Sequence, residues 1–277
     1  MKAEKKVLIV TSMIDVASMN IRNHLLANYG FIQTTEEFQS NPIYCNRLRG
    51  NEVKLVTIKD EPIYYQEITE HFSPHLIIYL SRHSSKSGTP TLSVHTPGNL
   101  GDAEKGGLPR KVSIAPAQAM RLSLQELLHQ KARFGLTYEI SYECTHHGPS
   151  LDVPAMFVEL GSSAKQWEDM KAAKAVARAA MAPILKGVER SVVVLGIGGP
   201  HYSSKFTRLA TEASYAFGHM IPKYAVSQIN AGIIQQCINR TLEKVEGIIL
   251  DWKGIKAADK PVLASALSKS KVNVQKV

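Results

Sequence analysis

Residues 6–30 read KVLIVTSMIDVASMNIRNHLLANYG, and this stretch decides the expected fold. Residues 6–11 have strand length and contain the unbroken apolar run 7–10, and Val16, Ile21 and Leu25 follow at helical spacing. Gly30 comes next, a residue type that commonly follows the end of a helix. A buried strand that leads directly into a helix is the opening unit of an α/β protein.

The rest of the chain alternates apolar strands with amphipathic helices. The patterns predict strands at 52–58, 74–82, 91–95, 136–142, 154–160, 191–197, 224–226 and 247–252. They predict helices at 117–134, 164–186 and 228–242 and in a Lys-rich tail from about 253. Two long loops are expected, at about 32–50 and 97–115. We therefore expect a single domain over residues 1–277, a three-layer α/β/α sandwich with a mostly parallel sheet.

Composition excludes several classes of protein. The 277 residues are 44% hydrophobic, which is enough for a sizeable core. Every apolar run is much shorter than the roughly 20 residues of a membrane span, and the first residues contain too few apolar positions for a signal peptide. Three cysteines without a CxxC pair fit a reducing compartment. We expect a cytoplasmic protein with no membrane association.

The chain is basic, with 33 lysines and arginines against 24 acidic residues and a formal net charge of +9. This excess favours a polyanionic partner, although a basic protein without such a partner would have the same composition. Lys171, Lys174 and Arg178 recur at helical spacing on the predicted 164–186 helix. They are candidate RNA-binding residues, and the alternative is an ordinary solvated helix face.

Histidines follow the predicted strands, whereas the common nucleotide-binding, metalloprotease and serine-hydrolase motifs are absent. The histidines concerned are His83, His95, His146, His147 and His201. Ligands of parallel α/β sheets bind beyond the carboxyl ends of the strands, so these loops are expected to meet in one pocket. Histidine there serves as a metal ligand or as an acid–base group, and the spacing leaves both open. Cys144 beside His146 is a less favoured candidate nucleophile.

Four motifs in order carry a resemblance to a known family. They are HTPGN at 95–99, ECTHHGPS at 143–150, VELGSS at 158–163 and GIGGPHYSSKFT at 196–207. With VLIVTSMIDVASMNI at 7–21, they resemble the D-aminoacyl-tRNA deacylases of archaea and plants. The resemblance extends to about residue 252 and implies a phosphorylase/hydrolase-like fold with a mixed, mostly parallel sheet.

The resemblance also implies an activity. It implies a hydrolase that releases D-amino acids such as D-tyrosine, and also mischarged glycine, from tRNA as chiral proofreading, with one or two Zn²⁺ ions per chain. We expect tRNA as the partner and a monomer without an obligate protein partner. The zinc ligands it suggests are His83, His95, His146 and His201, and the catalytic residues are Glu143, His147 and Glu159.

Other functions remain open at this point. A metal-dependent hydrolase or phosphorylase of a small molecule would use the same strand-end pocket, and would not need the basic helix face. A non-catalytic RNA-binding protein would need the charge and not the histidines. A deacylase without metal would rely on acid–base side chains alone.

Overall fold

The computed structural model describes residues 4–187, 190–268, 270 and 272–277. Its strands are β1 (Lys6–Ser12), β2 (Ile32–Phe38), β3 (Asn41–Leu48), β4 (Asn51–Ile58), β5 (Leu76–Arg82), β6 (Thr91–His95), β7 (Glu139–Tyr142), β8 (Ala155–Gly161), β9 (Val192–Gly198), β10 (Tyr215–Ile221), β11 (Gly247–Asp251) and β12 (Asn273–Lys276). Its helices are α1 (Val16–Asn28), α2 (Ile68–His71), α3 (Ala117–Phe134), α4 (Ala164–Trp167), α5 (Met170–Leu185), α6 (Ser204–Glu212), α7 (Ala231–Asn239) and α8 (Lys260–Leu267). Within the described residues, no helix has both the length and the apolar character that crossing a membrane requires.

The larger sheet has eight strands in the order β2-β3-β4-β1-β5-β8-β6-β7. Strands β4, β1, β5 and β8 are parallel, whereas β6 runs antiparallel to β8. The predicted opening unit is present, because β1 leads into α1 and the Asp15 carboxylate caps that helix by accepting the backbone N–H of Ser18 at 3.0 Å. The expected mixed, mostly parallel sheet flanked by helices is confirmed.

A second sheet, parallel throughout, has the order β10-β9-β11-β12. The sequence patterns did not predict this division into two sheets. Helix α3 packs against both α5 and β10. One hydrophobic core therefore includes Leu80 and Val158 of the larger sheet together with Phe217 and Ile249 of the smaller sheet.

The two faces of the larger sheet are covered differently. On one face, Ile78 and Val158 belong to the core that includes residues of α1, α3 and α5. On the other face, Tyr79 and Phe157 stack with ring centroids 4.6 Å apart, and Ile68 of α2 packs in the same cluster. Ile63 and Leu151, from segments outside the strands, also pack in the cluster on this second face.

The stretch at 32–50, expected to be a loop, is instead a β-hairpin of β2 and β3. Gln39 and Ser40 turn the chain with φ values of 50° and 60°, as a tight hairpin requires. Strand β2 lies at the sheet edge with mostly exposed polar residues, so it shows no alternation of apolar and polar positions. The 97–115 stretch is a loop, as expected, with isolated bridges only.

Further predictions differ from the structure. The 164–186 helix is divided into α4 and α5, because Asp169 caps a new helix by accepting the N–H groups of Lys171 and Ala172. The strand expected at 224–226 belongs to a short 3-10 helix, Lys223–Gln228, and β10 precedes it. In the Lys-rich tail, which forms α8 and β12, Lys269 and Lys271 lie outside the described residues.

Candidate active site and metal centre

The structure brings all the predicted catalytic and metal-binding residues into one cluster. They are His83 after β5, His95 at the end of β6, Glu143, His146 and His147 after β7, Glu159 within β8, and His201 after β9. The division of this cluster between zinc ligands and catalytic residues stays a prediction.

Strand β8 explains why these residues meet. Parallel β5 ends with Arg82 beside Leu160, and antiparallel β6 ends with His95 beside Phe157. The two strand ends therefore approach the middle of β8 from opposite directions and flank Glu159. The histidine loops converge, as expected, but they do so over a sheet face and not at a shared carboxyl edge.

Two buried carboxylates form the inner part of the cluster. Glu143 is 0% exposed and Glu159 is 4% exposed. His83 Nδ1 lies 3.3 Å from Glu143 Oε1 and 3.4 Å from Glu159 Oε2. The Ser81 hydroxyl donates to Glu159 Oε1 at 2.7 Å, and His201 Nε2 lies 2.9 Å from Glu143 Oε2. Each carboxylate is thus held between partners from different loops.

Two neighbouring histidines have the same orientation relative to the backbone. His146 Nδ1 lies 2.8 Å from the carbonyl oxygen of Cys144, and His147 Nδ1 lies 2.7 Å from that of Gly148. Because a carbonyl only accepts, each Nδ1 carries the hydrogen and each Nε2 presents a lone pair. The His146 ring centroid is 4.2 Å from that of His147 and 4.3 Å from that of His95. Backbone-anchored imidazoles of this kind are typical of metal ligands.

The electrostatics divide the cluster into a charged and a neutral part. Burial alone raises the pKa values of Glu143 and Glu159, but the surrounding histidines hold both well below the usual range. Burial lowers the pKa of His83, yet Glu159 and Glu143 outweigh it and raise this pKa to about 9. The pKa of His95 is also raised, because Glu159 outweighs the effect of burial. Glu143, Glu159 and His83 therefore favour their charged forms.

His146 and His147 behave in the opposite way. Burial and the neighbouring histidines hold the pKa of His146 well below its usual value and lower that of His147 to about 4. Both rings are therefore neutral at physiological pH. A neutral imidazole is the form that binds a metal ion or accepts a proton.

Donor atoms in the cluster fit a zinc ion. Three groups have ligand atoms within 4.8 Å of one another, namely His95 with His146 and His147, Glu143 with His146 and His201, and His83 with Glu143 and Glu159. His95 Nε2 and Glu143 Oε1 are buried and make no hydrogen bond among the described residues, and their nearest ionic neighbours are Glu159 Oε2 at 3.7 Å and His83 Nδ1 at 3.3 Å. Buried polar atoms are normally hydrogen-bonded, so both atoms have capacity for a metal ion. Histidine nitrogen and carboxylate oxygen are the donors of catalytic zinc sites.

Residues that the sequence analysis set aside hold the 143–147 loop in place. His219 Nε2 donates to the carbonyl oxygen of Arg240 at 3.0 Å, and Nδ1 accepts the Thr145 hydroxyl at 3.0 Å. Cys144 is buried with its Sγ 3.1 Å from the Ser203 hydroxyl, and burial raises the pKa of this thiol to about 12. A thiolate nucleophile is therefore disfavoured at this position.

Two cavities flank the cluster and share His146, His147, His201 and Lys105. The carboxylate cavity, of about 500 Å³, is also lined by Asp15, Glu61, Arg82, His83, Glu159 and Tyr202. The tyrosine cavity, of about 430 Å³, is also lined by Asn99, Leu100, Thr145, Tyr224, Ala225 and Gln228. A substrate bound at the shared histidines can therefore extend in two directions.

The predicted RNA-binding residues lie elsewhere. Lys174 Nζ and Arg178 Cζ lie 5.3 and 5.7 Å from the ring centroid of Phe134. Neither they nor Lys171 are among the residues that line the two cavities, so their RNA-binding role stays a prediction. Sequence reasoning missed the basic and tyrosine side chains that do line them, namely Arg82, Lys86, Lys105, Tyr202 and Tyr224. Only the adjacency of Arg82 to His83 and of Tyr202 to His201 gave a signal.

A mostly parallel α/β sheet with a buried cluster of carboxylates and neutral imidazoles between two cavities has the features of an enzyme active site. Residues 70–275 match the family model described as D-aminoacyl-tRNA deacylase. The chain belongs to this family, as the motif resemblance predicted.

Curated relatives and a solved structure match nearly the whole chain. It is 40% identical over 266 residues to the D-aminoacyl-tRNA deacylase of Pyrococcus abyssi, covering 93% of this chain and 94% of that protein. It is 40% identical over 268 residues to that of Thermococcus onnurineus, covering 94% and 95%. The fold is similar to the crystal structure of the conserved protein of unknown function AF0625, with a TM-score of 0.88, 29% identity, and coverage of 100% of this chain and 96% of that chain.

Proposed function

We propose that this protein hydrolyses the ester bond of D-aminoacyl-tRNA, releasing the free D-amino acid and the tRNA. The observation that carries the proposal is the buried His/Glu cluster between two cavities, in a chain that belongs to the D-aminoacyl-tRNA deacylase family. Relatives at 40% identity are named for this activity. Removal of D-amino acids from tRNA is chiral proofreading of translation.

Ester hydrolysis requires an activated water and a group that stabilises negative charge on the carbonyl oxygen. His147 lines both cavities and, with its pKa lowered to about 4, presents a neutral Nε2 that accepts the proton of the attacking water. His83 is protonated at neutral pH, and its Nε2 lies 2.5 Å from the Tyr202 hydroxyl in the carboxylate cavity. This pair supplies positive charge and a hydrogen-bond donor for the developing oxyanion.

The donor set supports a zinc-dependent reaction. One zinc ion would be held by His146, His201 and Glu143. His95 would either complete this first site or hold a second ion together with His146 and His147. His83 is assigned to the oxyanion rather than to the ion, because its Nδ1 contacts both carboxylates and its Nε2 contacts the Tyr202 hydroxyl. When bound, Zn²⁺ lowers the pKa of a coordinated water and polarises a carbonyl.

Selection of the D-hand follows from a fixed ester position. Glu159 in the carboxylate cavity suits the α-ammonium group of the aminoacyl ester, whereas Asp15 caps α1 and Glu61 pairs with Arg82. With the ester and the ammonium group both fixed, only one direction from Cα leaves space for a side chain. Glycine has no side chain, so glycyl-tRNA would also be accepted.

We propose that the enzyme is cytoplasmic and monomeric. Light scattering of the purified protein tests the monomeric state.

Metal content and activity measured together test the zinc proposal. His146→Ala should lose bound zinc and nearly all hydrolysis of D-tyrosyl-tRNA, because His146 belongs to two of the three ligand groups. His129→Ala is the matched control, since that side chain is 64% exposed on α3 and outside the cluster. Full activity of a zinc-free wild-type protein would refute the metal requirement while leaving the hydrolase proposal intact.

A further inference from the structure

The tyrosine cavity is not explained by the hydrolysis itself. The scissile ester joins the amino acid to the terminal ribose, so the two halves of the substrate extend from the shared histidines in different directions. Of the carboxylates in the carboxylate cavity, Asp15 caps α1 and Glu61 pairs with Arg82, which leaves the buried Glu159 to face the ammonium group. The ribose and its base must then extend into the other cavity. This step rests on the proposed function.

Tyr224 and His201 together present a flat aromatic surface in this cavity. The Tyr224 hydroxyl lies 3.1 Å from His201 Nδ1, and the two ring planes are only 22° apart. Their centroids are 6.5 Å apart, so the rings meet edge to edge and do not stack on each other. Tyr224 is 55% exposed, which leaves a ring face free. Bases of single-stranded nucleic acid stack on exposed aromatic rings of this kind.

A free polar group lies beside this surface. Gln228 lines the tyrosine cavity and is exposed, and its side-chain amide has no hydrogen-bond partner among the described residues. The nearby Asn99 amide, in contrast, is already used, because it donates to the carbonyl oxygen of Gly106 at 2.8 Å. An amide both donates and accepts, which matches the amino group and ring nitrogen at the edge of adenine. Asp102 and Glu104, which also line the cavity, are exposed to solvent.

We propose that the tyrosine cavity binds the 3′-terminal adenosine of the tRNA, with the adenine stacked on Tyr224 and its polar edge facing Gln228. The aminoacyl group then lies in the carboxylate cavity. The cavity of about 430 Å³ falls within the size range of small-ligand sites. Lys105, shared by both cavities, is placed to contact the last phosphate.

Binding to the enzyme as purified, with its metal, tests the subsite without turnover. Calorimetry should detect adenosine 5′-monophosphate binding to wild type, Tyr224→Phe and the control Tyr64→Ala, whose tyrosine is 57% exposed and lines neither cavity. Tyr224→Ala should bind about tenfold or more weakly, because alanine removes the stacking ring that phenylalanine keeps. Cytidine 5′-monophosphate should bind more weakly than adenosine 5′-monophosphate. Uncharged tRNA should displace the bound adenosine 5′-monophosphate. Equal affinity of Tyr224→Ala and wild type, or of the two nucleotides, would overturn the proposal.

Kinetics separate this proposal from the proposed function. Tyr224→Ala should raise the KM for D-tyrosyl-tRNA about tenfold or more, whereas Tyr224→Phe should keep the wild-type KM and alter only kcat through the lost contact with His201. An active enzyme whose KM is the same in Tyr224→Ala would refute the subsite and leave the hydrolase assignment standing. A wild-type enzyme that binds the adenine nucleotide through Tyr224 and hydrolyses no D-aminoacyl-tRNA would refute the hydrolase assignment and keep an adenine-nucleotide site.

Discussion

Replacement of Glu159 by glutamine tests the electrostatic account of the cluster. The carboxylate lies 3.4 Å from His83 Nδ1 and is the main cause that raises the pKa of His83, from 6.5 to about 9. This net shift corresponds to roughly 3 kcal/mol, at about 1.4 kcal/mol for each pKa unit, and it remains after burial has opposed the effect of both carboxylates. Glutamine keeps the shape and removes the charge, so the pKa of His83 in Glu159→Gln should fall back towards 6.5.

The sign of the linked stability change follows from this raised pKa. The contribution of His83 to the free energy of unfolding is fully present below 6.5 and is lost as the pH rises through about 9. Urea unfolding of the chelator-treated protein at about pH 6 and about pH 10 should show this loss in wild type, and much less of it in Glu159→Gln.

NMR of ¹³C-labelled histidine measures the same pKa directly. His83→Gln identifies the resonance, and Glu139→Gln removes an exposed carboxylate of β7 as a charge-matched control. A His83 pKa that stays near 9 in Glu159→Gln would show that Glu159 does not hold the charged ring in place.

Three other changes have defined outcomes. Gly148→Ala should destabilise the protein by about 1–3 kcal/mol in urea unfolding and impair the site, because an added Cβ would lie 2.3 Å from backbone atoms of two neighbouring segments. The control Gly187→Ala, which has open space around it, should have wild-type stability. Equal stability of the two variants would contradict this packing. Cys144 should resist iodoacetamide in the folded protein at about pH 8, as followed by mass spectrometry, because its pKa is raised to about 12; rapid alkylation would reopen the nucleophile hypothesis. Lys105→Ala should weaken tRNA binding and reduce by about 1 the slope of log affinity against log salt concentration. Lys174→Ala should change this slope less, because the Lys174 side chain packs over the Phe134 ring. A larger effect of Lys174→Ala than of Lys105→Ala would restore the helix face as the RNA contact.

The sequence predicted the elements that are apolar over their whole length. Strands β1 and β5 are continuous buried runs and lie close to where the patterns put them. The β2–β3 hairpin was missed because an edge strand exposed to water carries no apolar alternation. Strand β10 was missed because Gly218 and His219 interrupt its apolar run, and their burial depends on partners far along the chain, such as Thr145.

The membership of the cluster was predictable, but its shape was not. Histidines after strands, together with the four motifs, identified His83, His95, His146, His147 and His201. Their meeting over the middle of β8 depends on β6 running antiparallel to it, and no local pattern encodes strand direction. The two cavities also depend on long-range packing, so Tyr224 and Lys105 could not be found from the sequence.

The central claim is tested most directly by the rates at which the purified protein hydrolyses matched D-tyrosyl-tRNA and L-tyrosyl-tRNA, before and after chelation and after zinc is added back. We expect hydrolysis of the D-ester alone, lost on chelation and restored by zinc. Hydrolysis of both esters at similar rates would contradict the chiral proofreading function, and D-specific hydrolysis that is unaffected by chelation would contradict the zinc requirement.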